Sequence, residues 1–144
     1  MALAFLGLGS NLGDGKANLD RAVDLIAQQI GEVKAVSSYM ESEPWGFESQ
    51  HRFTNAVCAV VTVLDPMDLL DKTQSIERKM GRTHKHKSGE SYTDRIIDID
   101  ILTYDNIIIN NERLTIPHPL IDQREFVYRP LNECINKLNN EILF

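Results

Sequence analysis

Hydrophobic positions in this chain change between a period of two and a period near 3.6, and the changes mark out its elements. Residues 2–8 form a short apolar run, the signature of a buried strand. Leu19, Ala22, Val23, Ile26, Ala27 and Ile30 recur at helical spacing and predict a first helix that stops at Gly31. Residues 33–40 read as a second strand, and 41–52 as a loop carrying Pro44, Trp45, Gly46 and Phe47. Residues 53–64 form a long strand with Phe53, Asn55, Val57, Ala59, Val61 and Val63 on one face. Asp65-Pro66-Met67-Asp68 supplies an N-cap, a proline for the first helical position and a first-turn carboxylate. A second helix follows, with Leu69, Leu70, Thr73, Ile76 and Met80 as its buried stripe and Gly81 as its stop. In Arg95-Ile96-Ile97-Asp98-Ile99-Asp100-Ile101-Leu102 the period of two returns. Ile97, Ile99 and Ile101 then face a core, while Asp98 and Asp100 share the other face.

Downstream, Asp105-Asn106 turns the chain into a short hairpin arm at Ile107, Ile108 and Ile109. Residues 120–134 predict a helix interrupted near Pro130, and the tail 136–144 reads as a weakly docked or fraying end. The order β-α-β-β-α-β, with an added hairpin and C-terminal helices, predicts an α+β, ferredoxin-like sandwich with helices on a mainly antiparallel sheet. There is no internal repeat, low-complexity tract or linker, so residues 1–144 read as a single domain.

Composition narrows the class. The chain has 144 residues, 42% hydrophobic and 25% charged, the profile of a soluble globular domain. A net charge of −6 argues against a nucleic-acid binder, whose domains are usually basic. No run approaches the length of a membrane span, and the N-terminus lacks the positive region of a signal peptide, so a cytoplasmic location is expected. Cys58 and Cys134 match no zinc or redox spacing, and Cys58 in an apolar strand reads as a buried thiol.

Two stretches invite a nucleotide reading and fail it. In Gly7–Lys16 a dinucleotide fingerprint needs glycine where Leu12 stands, and a P-loop needs glycine at Ser10 and a hydroxyl at Ala17. The stretch is instead a strand-to-helix turn with Asp14 as N-cap, able to line a site without cradling phosphate. The chemistry points to Asp98 and Asp100. Two carboxylates roughly 6–7 Å apart on one strand face are costly in an isoleucine-rich setting unless partnered. Oxygen-only ligands suit Mg²⁺ or Mn²⁺ rather than Zn²⁺. The alternative is a half-exposed face with both carboxylates in water. Phe53 beside Asn55 suits a flat heterocycle, the alternative being a packed ring and a turn-bonding amide. Residues 82–94 form a loop of about thirteen residues, long for a compact domain, with Arg82, Lys85 and Lys87 interleaved by His84 and His86. It reads as a cationic lid over an anionic ligand. His118 is held between Pro117 and Pro119, which fixes its direction.

These pieces, in their order, resemble the 6-hydroxymethyl-7,8-dihydropterin pyrophosphokinases of folate biosynthesis. The resemblance rests on Gly9-Ser10-Asn11-Leu12-Gly13, Glu43-Pro44-Trp45-Gly46, Phe53-Thr54-Asn55-Ala56, Gln74-Ser75-Ile76-Glu77 with Gly81-Arg82, the run from Asp94 to Asp100, and Arg113-Leu114-Thr115-Ile116-Pro117-His118. It covers almost the whole chain. It implies transfer of pyrophosphate from ATP to the pterin hydroxymethyl group, with release of AMP. By matching position it implies two Mg²⁺ ions on Asp98 and Asp100, and Arg82 and Arg95 on the phosphates. The pterin would stack between Phe53 and Phe126, its edge read by Asn55 and by the backbone near Ser42, Pro44 and Trp45. Gln74, Glu77, His84, Tyr92, Arg95, Ile101, Arg113, Thr115, His118 and Arg124 would line the ATP side. His84 stands where many members carry an arginine, Tyr92 where some have tryptophan, and Pro119 where some have tyrosine. The resemblance also implies a monomer with a functional link to dihydropteroate synthase. A catalytically silent binding module is the competing class. Retention of Asp98, Asp100, Arg82 and Arg95 counts against it. A third reading, an RNA-binding sheet of similar topology, lacks both the basic balance and the aromatic strand motif that such sheets carry.

Overall fold

A computed structural model describes residues 1–43, 52–81 and 95–142 of the chain. A mixed-length antiparallel sheet forms its middle layer. Strand β1 (Ala2–Ser10) pairs with β4 (Phe53–Thr62) on one side and with β5 (Asp98–Tyr104) on the other. The far edge of β4 is shared by β2 (Gly31–Val36) and β3 (Met40–Ser42), both antiparallel to it. Helix α1 (Gly15–Gln29) connects β1 to β2, and α2 (Pro66–Lys79) connects β4 to β5. This is the predicted ferredoxin-like order, with the second strand delivered in two pieces.

The division of that strand has a local cause. The sequence reads 33–40 as continuous, but Ser37 departs from the ladder. Its Oγ accepts from the Val57 amide at 2.9 Å, while its own N–H donates to the Val57 carbonyl at 2.9 Å. A side chain thus takes a place that the next main-chain carbonyl would hold. The chain offsets there and re-pairs as β3.

Both helices begin as predicted. Asp14 accepts from the Ala17 amide at 3.1 Å, and Asp65 from the Asp68 amide at 2.8 Å, satisfying otherwise orphan donors. Their apolar stripes lie on one sheet face, against Leu6, Leu8, Ala56, Cys58, Val60, Ile97, Ile99 and Ile101. The other face carries Phe5, Ala35, Val57, Ala59 and Leu102, covered by helix α3 (Glu125–Ile142) through Val127, Leu131, Cys134 and Leu138. That 4-3-4 spacing is one helical stripe. Since both faces of β4 are covered, residues Asn55 to Val60 are all buried.

One reading of the C-terminal part is corrected and another made definite. The helix is not interrupted at Pro130, and residues 136–142 of the tail continue it as the last turns of α3. Pro130 lacks only the N–H that would reach the Phe126 carbonyl, and the packed stripe outweighs that one bond. Further along, Lys137 Nζ donates to the Val36 carbonyl at 2.6 Å, tying the last turns to β2. Between β5 and α3 the predicted hairpin is small, β6 (Ile109–Asn110) against β7 (Thr115–Ile116), and Ile108 is exposed rather than paired. A short 3₁₀ turn at Ile121–Gln123 leads into α3. Cys58 and Cys134 are buried unpaired thiols on opposite faces of the sheet. Burial pushes the Cys58 thiol up to about 12.

Candidate active site

On the sheet face covered by α3, the helix leaves one end of the sheet open, and a cavity forms there. Its floor is β1. Gly7 and Gly9 are two apart, so both point into it, opposite in direction to the buried Leu6 and Leu8. Across the ladder Gly9 pairs with Asn55 on one side and Asp98 on the other, and Gly7 with Val57 and Asp100. Cross-strand partners share a face. The two glycines therefore form a trough with Asn55 and Val57 along one bank and the two carboxylates along the other. Phe53, Arg95, His118, Arg124 and Phe126 also line it.

Each bank is held from behind. Arg95 is buried and its guanidinium lies 3.4 Å from Asp98 and 6.0 Å from the Phe53 ring centre. Its main chain is clasped to the glycine-rich turn. The Arg95 N–H donates to Asn11 Oδ1 at 2.7 Å, and the Asn11 N–H donates to the Arg95 carbonyl at 3.0 Å. Arg124 lies 5.8 Å from the centre of the Phe126 ring, within cation–π range. On the outer edge of β5, the peptide N–H of Ile99, between the two aspartates, donates to Glu77 of α2 at 2.9 Å.

The electrostatics follow from burial and crowding. The Asp100 carboxyl is raised well above the usual carboxylate range, first by burial and then by the charges of Asp98 and Glu77, with Arg124 and Arg95 opposing. His118 is held below its usual 6.5 by burial and by Arg124, with Asp98 opposing. Its Nδ1 accepts from the Leu120 N–H at 3.2 Å, and its own amide donates to the Leu102 carbonyl at 2.8 Å. With Nδ1 an acceptor, the imidazole is neutral and carries its proton on Nε2.

Several expected ATP-side residues do not line this cavity. Ile101 is a core side chain on the opposite sheet face, so only its main chain is available to a ligand. Arg113 reaches Asp71 at 2.7 Å and Gln74 at 3.4 Å on the outside of α2, and Thr115 is exposed on β7. Gln74, Arg113 and Thr115 thus lie outside the trough. His118 and Arg124, expected on the ATP side, share the cavity with Phe53, Asn55 and Phe126. Ser42 stands beside Asn55, accepting from its amide nitrogen at 2.8 Å. Pro44, Trp45, Arg82, His84 and Tyr92, with the proposed lid at 82–94, lie outside the described residues. Among the described residues, no group of three or more His, Cys, Asp or Glu side chains is placed to hold a metal.

Sequence reasoning missed the glycine floor. It treated Gly7 and Gly9 as parts of a turn, whereas the alternation Leu6-Gly7-Leu8-Gly9 already placed both on one strand face. It also missed that Glu77 is spent on the β5 edge, a role that no spacing rule announces.

The arrangement sets an aromatic slot beside two carboxylates and two arginines, and comparison with known proteins gives it a family. The family model for 7,8-dihydro-6-hydroxymethylpterin-pyrophosphokinase (HPPK) matches residues 5–136. The chain belongs to the HPPK family. A 2-amino-4-hydroxy-6-hydroxymethyldihydropteridine pyrophosphokinase of Porphyromonas gingivalis is 44% identical over 142 residues, spanning 98% of this chain and 96% of the relative. One from Bacillus subtilis is 39% identical over 140 residues, spanning 96% and 81%. The fold is likewise shared with a crystal structure of Plasmodium falciparum HPPK-DHPS, at a TM-score of 0.74 and 17% identity over 94% of this chain. This chain spans 40% of that longer HPPK-DHPS chain. The trough lies within the matched region.

Proposed function

We propose that the trough and the surface beside it carry out the HPPK reaction: transfer of the pyrophosphoryl group of ATP to the hydroxymethyl group of 6-hydroxymethyl-7,8-dihydropterin, in folate biosynthesis. The pterin oxygen forms a bond to the β-phosphorus. The bond from that phosphorus to the α,β-bridging oxygen breaks, AMP leaves with the bridging oxygen, and the hydroxyl proton passes to solvent. The observation that carries this reading is the pairing, across a two-glycine floor, of an aromatic slot with the Asp98–Asp100 bank.

Phe53 and Phe126 hold the flat ring, and Asn55 reads its edge. Arg95, with Arg82 by matching position, neutralises charge on the phosphates as the leaving group departs. Neutral His118 donates from Nε2 toward the same cavity, and Arg124 adds positive potential beside it. Gln74, Arg113 and Thr115 are assigned to the nucleotide, together with His84, Tyr92 and the main chain of Ile101. Ser42, Pro44 and Trp45 are assigned to the pterin edge.

Asp98 and Asp100 fit Mg²⁺. They are two hard oxygen donors on one strand face, close enough for the Asp98 charge to raise the Asp100 carboxyl, and Mg²⁺ takes one or two carboxylates with substrate phosphates and water completing its shell. Two such ions, when bound, supply charge that clamps the triphosphate and acidifies the pterin hydroxyl. The same reading makes the chain a cytoplasmic monomer whose product feeds dihydropteroate synthase, a link supported by relatives in which HPPK and DHPS share one chain. The test is substitution of the acidic bank. Asp98→Asn or Asp100→Asn keeps shape and removes an anionic ligand, and turnover is expected to fall by orders of magnitude, since metal charge stabilisation is worth several kcal/mol. Full activity in both variants would remove the metal assignment.

A further inference from the structure

The direction of the Asn55 amide is set by its neighbours. Its Nδ2 lies 2.8 Å from Ser42 Oγ, 3.2 Å from the Met40 carbonyl and 3.4 Å from the Phe53 carbonyl. Two of these are main-chain carbonyls, which can only accept, so the NH₂ must face them. The oxygen is thereby turned the other way, toward the floor of the trough. Asn55 is 4% exposed, and among the described residues no group donates to Oδ1. An acceptor so placed, in a largely buried residue, is costly unless a ligand or water supplies the donor.

What keeps that acceptor reachable is the missing side chain of Gly9. A Cβ built there would stand 3.4 Å from Asn55 Oδ1, and 3.5 and 3.9 Å from two carbons of the Phe53 ring. These are ordinary van der Waals distances, and Gly9 has no left-handed backbone requirement. The fold can therefore accept a methyl group at this position. The space it would fill is the corner where the ring edge of a stacked heterocycle must come down to meet Oδ1. Contrast Gly15 and Gly31, where a Cβ would fall 2.4 Å from Thr54 Oγ1 and 2.0 Å from the Val61 carbonyl oxygen. Those glycines are demanded by packing. Gly9 is not.

We infer that Gly9 is a specificity-determining residue, holding open the corner through which an N–H donor on the edge of a flat heterocycle reaches Asn55 Oδ1. The inference rests on the HPPK reading of the trough and adds to it the polarity of the contact. The ligand must offer a donor at this edge, and an otherwise identical ring carrying a methyl group in place of that hydrogen is excluded.

The experiment measures, by calorimetry on the full chain, binding of the dihydropterin, of its edge-methylated analogue and of a non-hydrolysable Mg-ATP analogue. Wild type should favour the dihydropterin over the methylated ring. Gly9→Ala should weaken dihydropterin binding by about 10- to 100-fold, the loss expected when a buried acceptor goes unmet. It should leave the melting temperature and the ATP-analogue affinity close to wild type, and should erase most of the preference between the two rings. Ser42→Ala, which loosens the amide without filling the corner, should give a smaller loss in the same direction. Unchanged dihydropterin affinity and ring preference in a folded Gly9→Ala protein would overturn the inference. So would an equal loss for both rings, which would mark a general disturbance of the slot. A wild-type protein that binds no dihydropterin would instead overturn the HPPK reading itself.

Discussion

At the scale of single residues, the site is organised by which face of a strand each side chain takes. Asp100 shows the energetic consequence. Its carboxyl is raised by burial and by its acidic neighbours, so in the folded protein without divalent cation it binds a proton more readily than in the unfolded chain. A raised carboxyl pKa makes the folded state the greater proton binder between the two pKa values. Stability therefore falls as pH rises through that window. Asp100→Asn removes the titration. Its melting temperature, measured in a chelator, should exceed wild type at neutral pH, and the gap should close as pH falls below the unfolded carboxylate value of 3.8. A variant less stable than wild type at neutral pH in chelator would contradict this account of the acidic bank. Phe53, Asn55, Asp98 and Asp100 were legible in the sequence because a period of two assigns faces without further information. The direction of the Asn55 amide was not, because it depends on Met40 and Ser42 meeting it across the β3–β4 ladder, where the sequence ends its strand at Met40 and puts Ser42 in a loop. His118 was legible as a fixed residue between prolines, but its sharing of the cavity with Phe126 comes from the path after Leu102.

Elements reveal where sequence signals compete. The caps at Asp14 and Asp65 were readable because N-cap chemistry is local. The split of β2 and β3 was not, because it depends on Ser37 meeting Val57 from another strand. Pro130 is the sharper case. Its local signal is helix interruption, and the tertiary stripe Val127, Leu131, Cys134 and Leu138 overrides it. The same stripe carries the C-terminal turns. Leu138 is partly buried against this cluster, so Leu138→Ala should destabilise the protein by about 1–2 kcal/mol, below the fully buried range for such truncations. At this chain length that is about 2–8 °C in melting temperature. No change in a thermal melt would mean that the last turns of α3 are undocked. The consequence for function is indirect but physical, since α3 presents Phe126 at one end and is tied to β2 by Lys137 at the other.

At the scale of the whole molecule, two sheet faces divide the labour. One is covered by α1 and α2 and holds the larger core; the other is covered by α3 over part of its area and leaves a trough at the strand ends. The fold class followed from element order, because β-α-β-β-α-β in one chain of this length leaves few alternatives. The trough did not, because it is defined by what Gly7 and Gly9 lack. Asp98 and Asp100 bound one side of that trough, Phe53 and Asn55 stand on the other, and Gln74 and Arg113 lie outside it. In the proposed function this puts the phosphates of ATP between the nucleotide and the pterin. The reaction is defined by the group that moves, and the nucleotide product reads it directly. Purified protein given ATP, Mg²⁺ and 6-hydroxymethyl-7,8-dihydropterin should produce AMP and the pterin diphosphate in equal amounts. Formation of ADP with a pterin monophosphate, or no nucleotide turnover under these conditions, would contradict it.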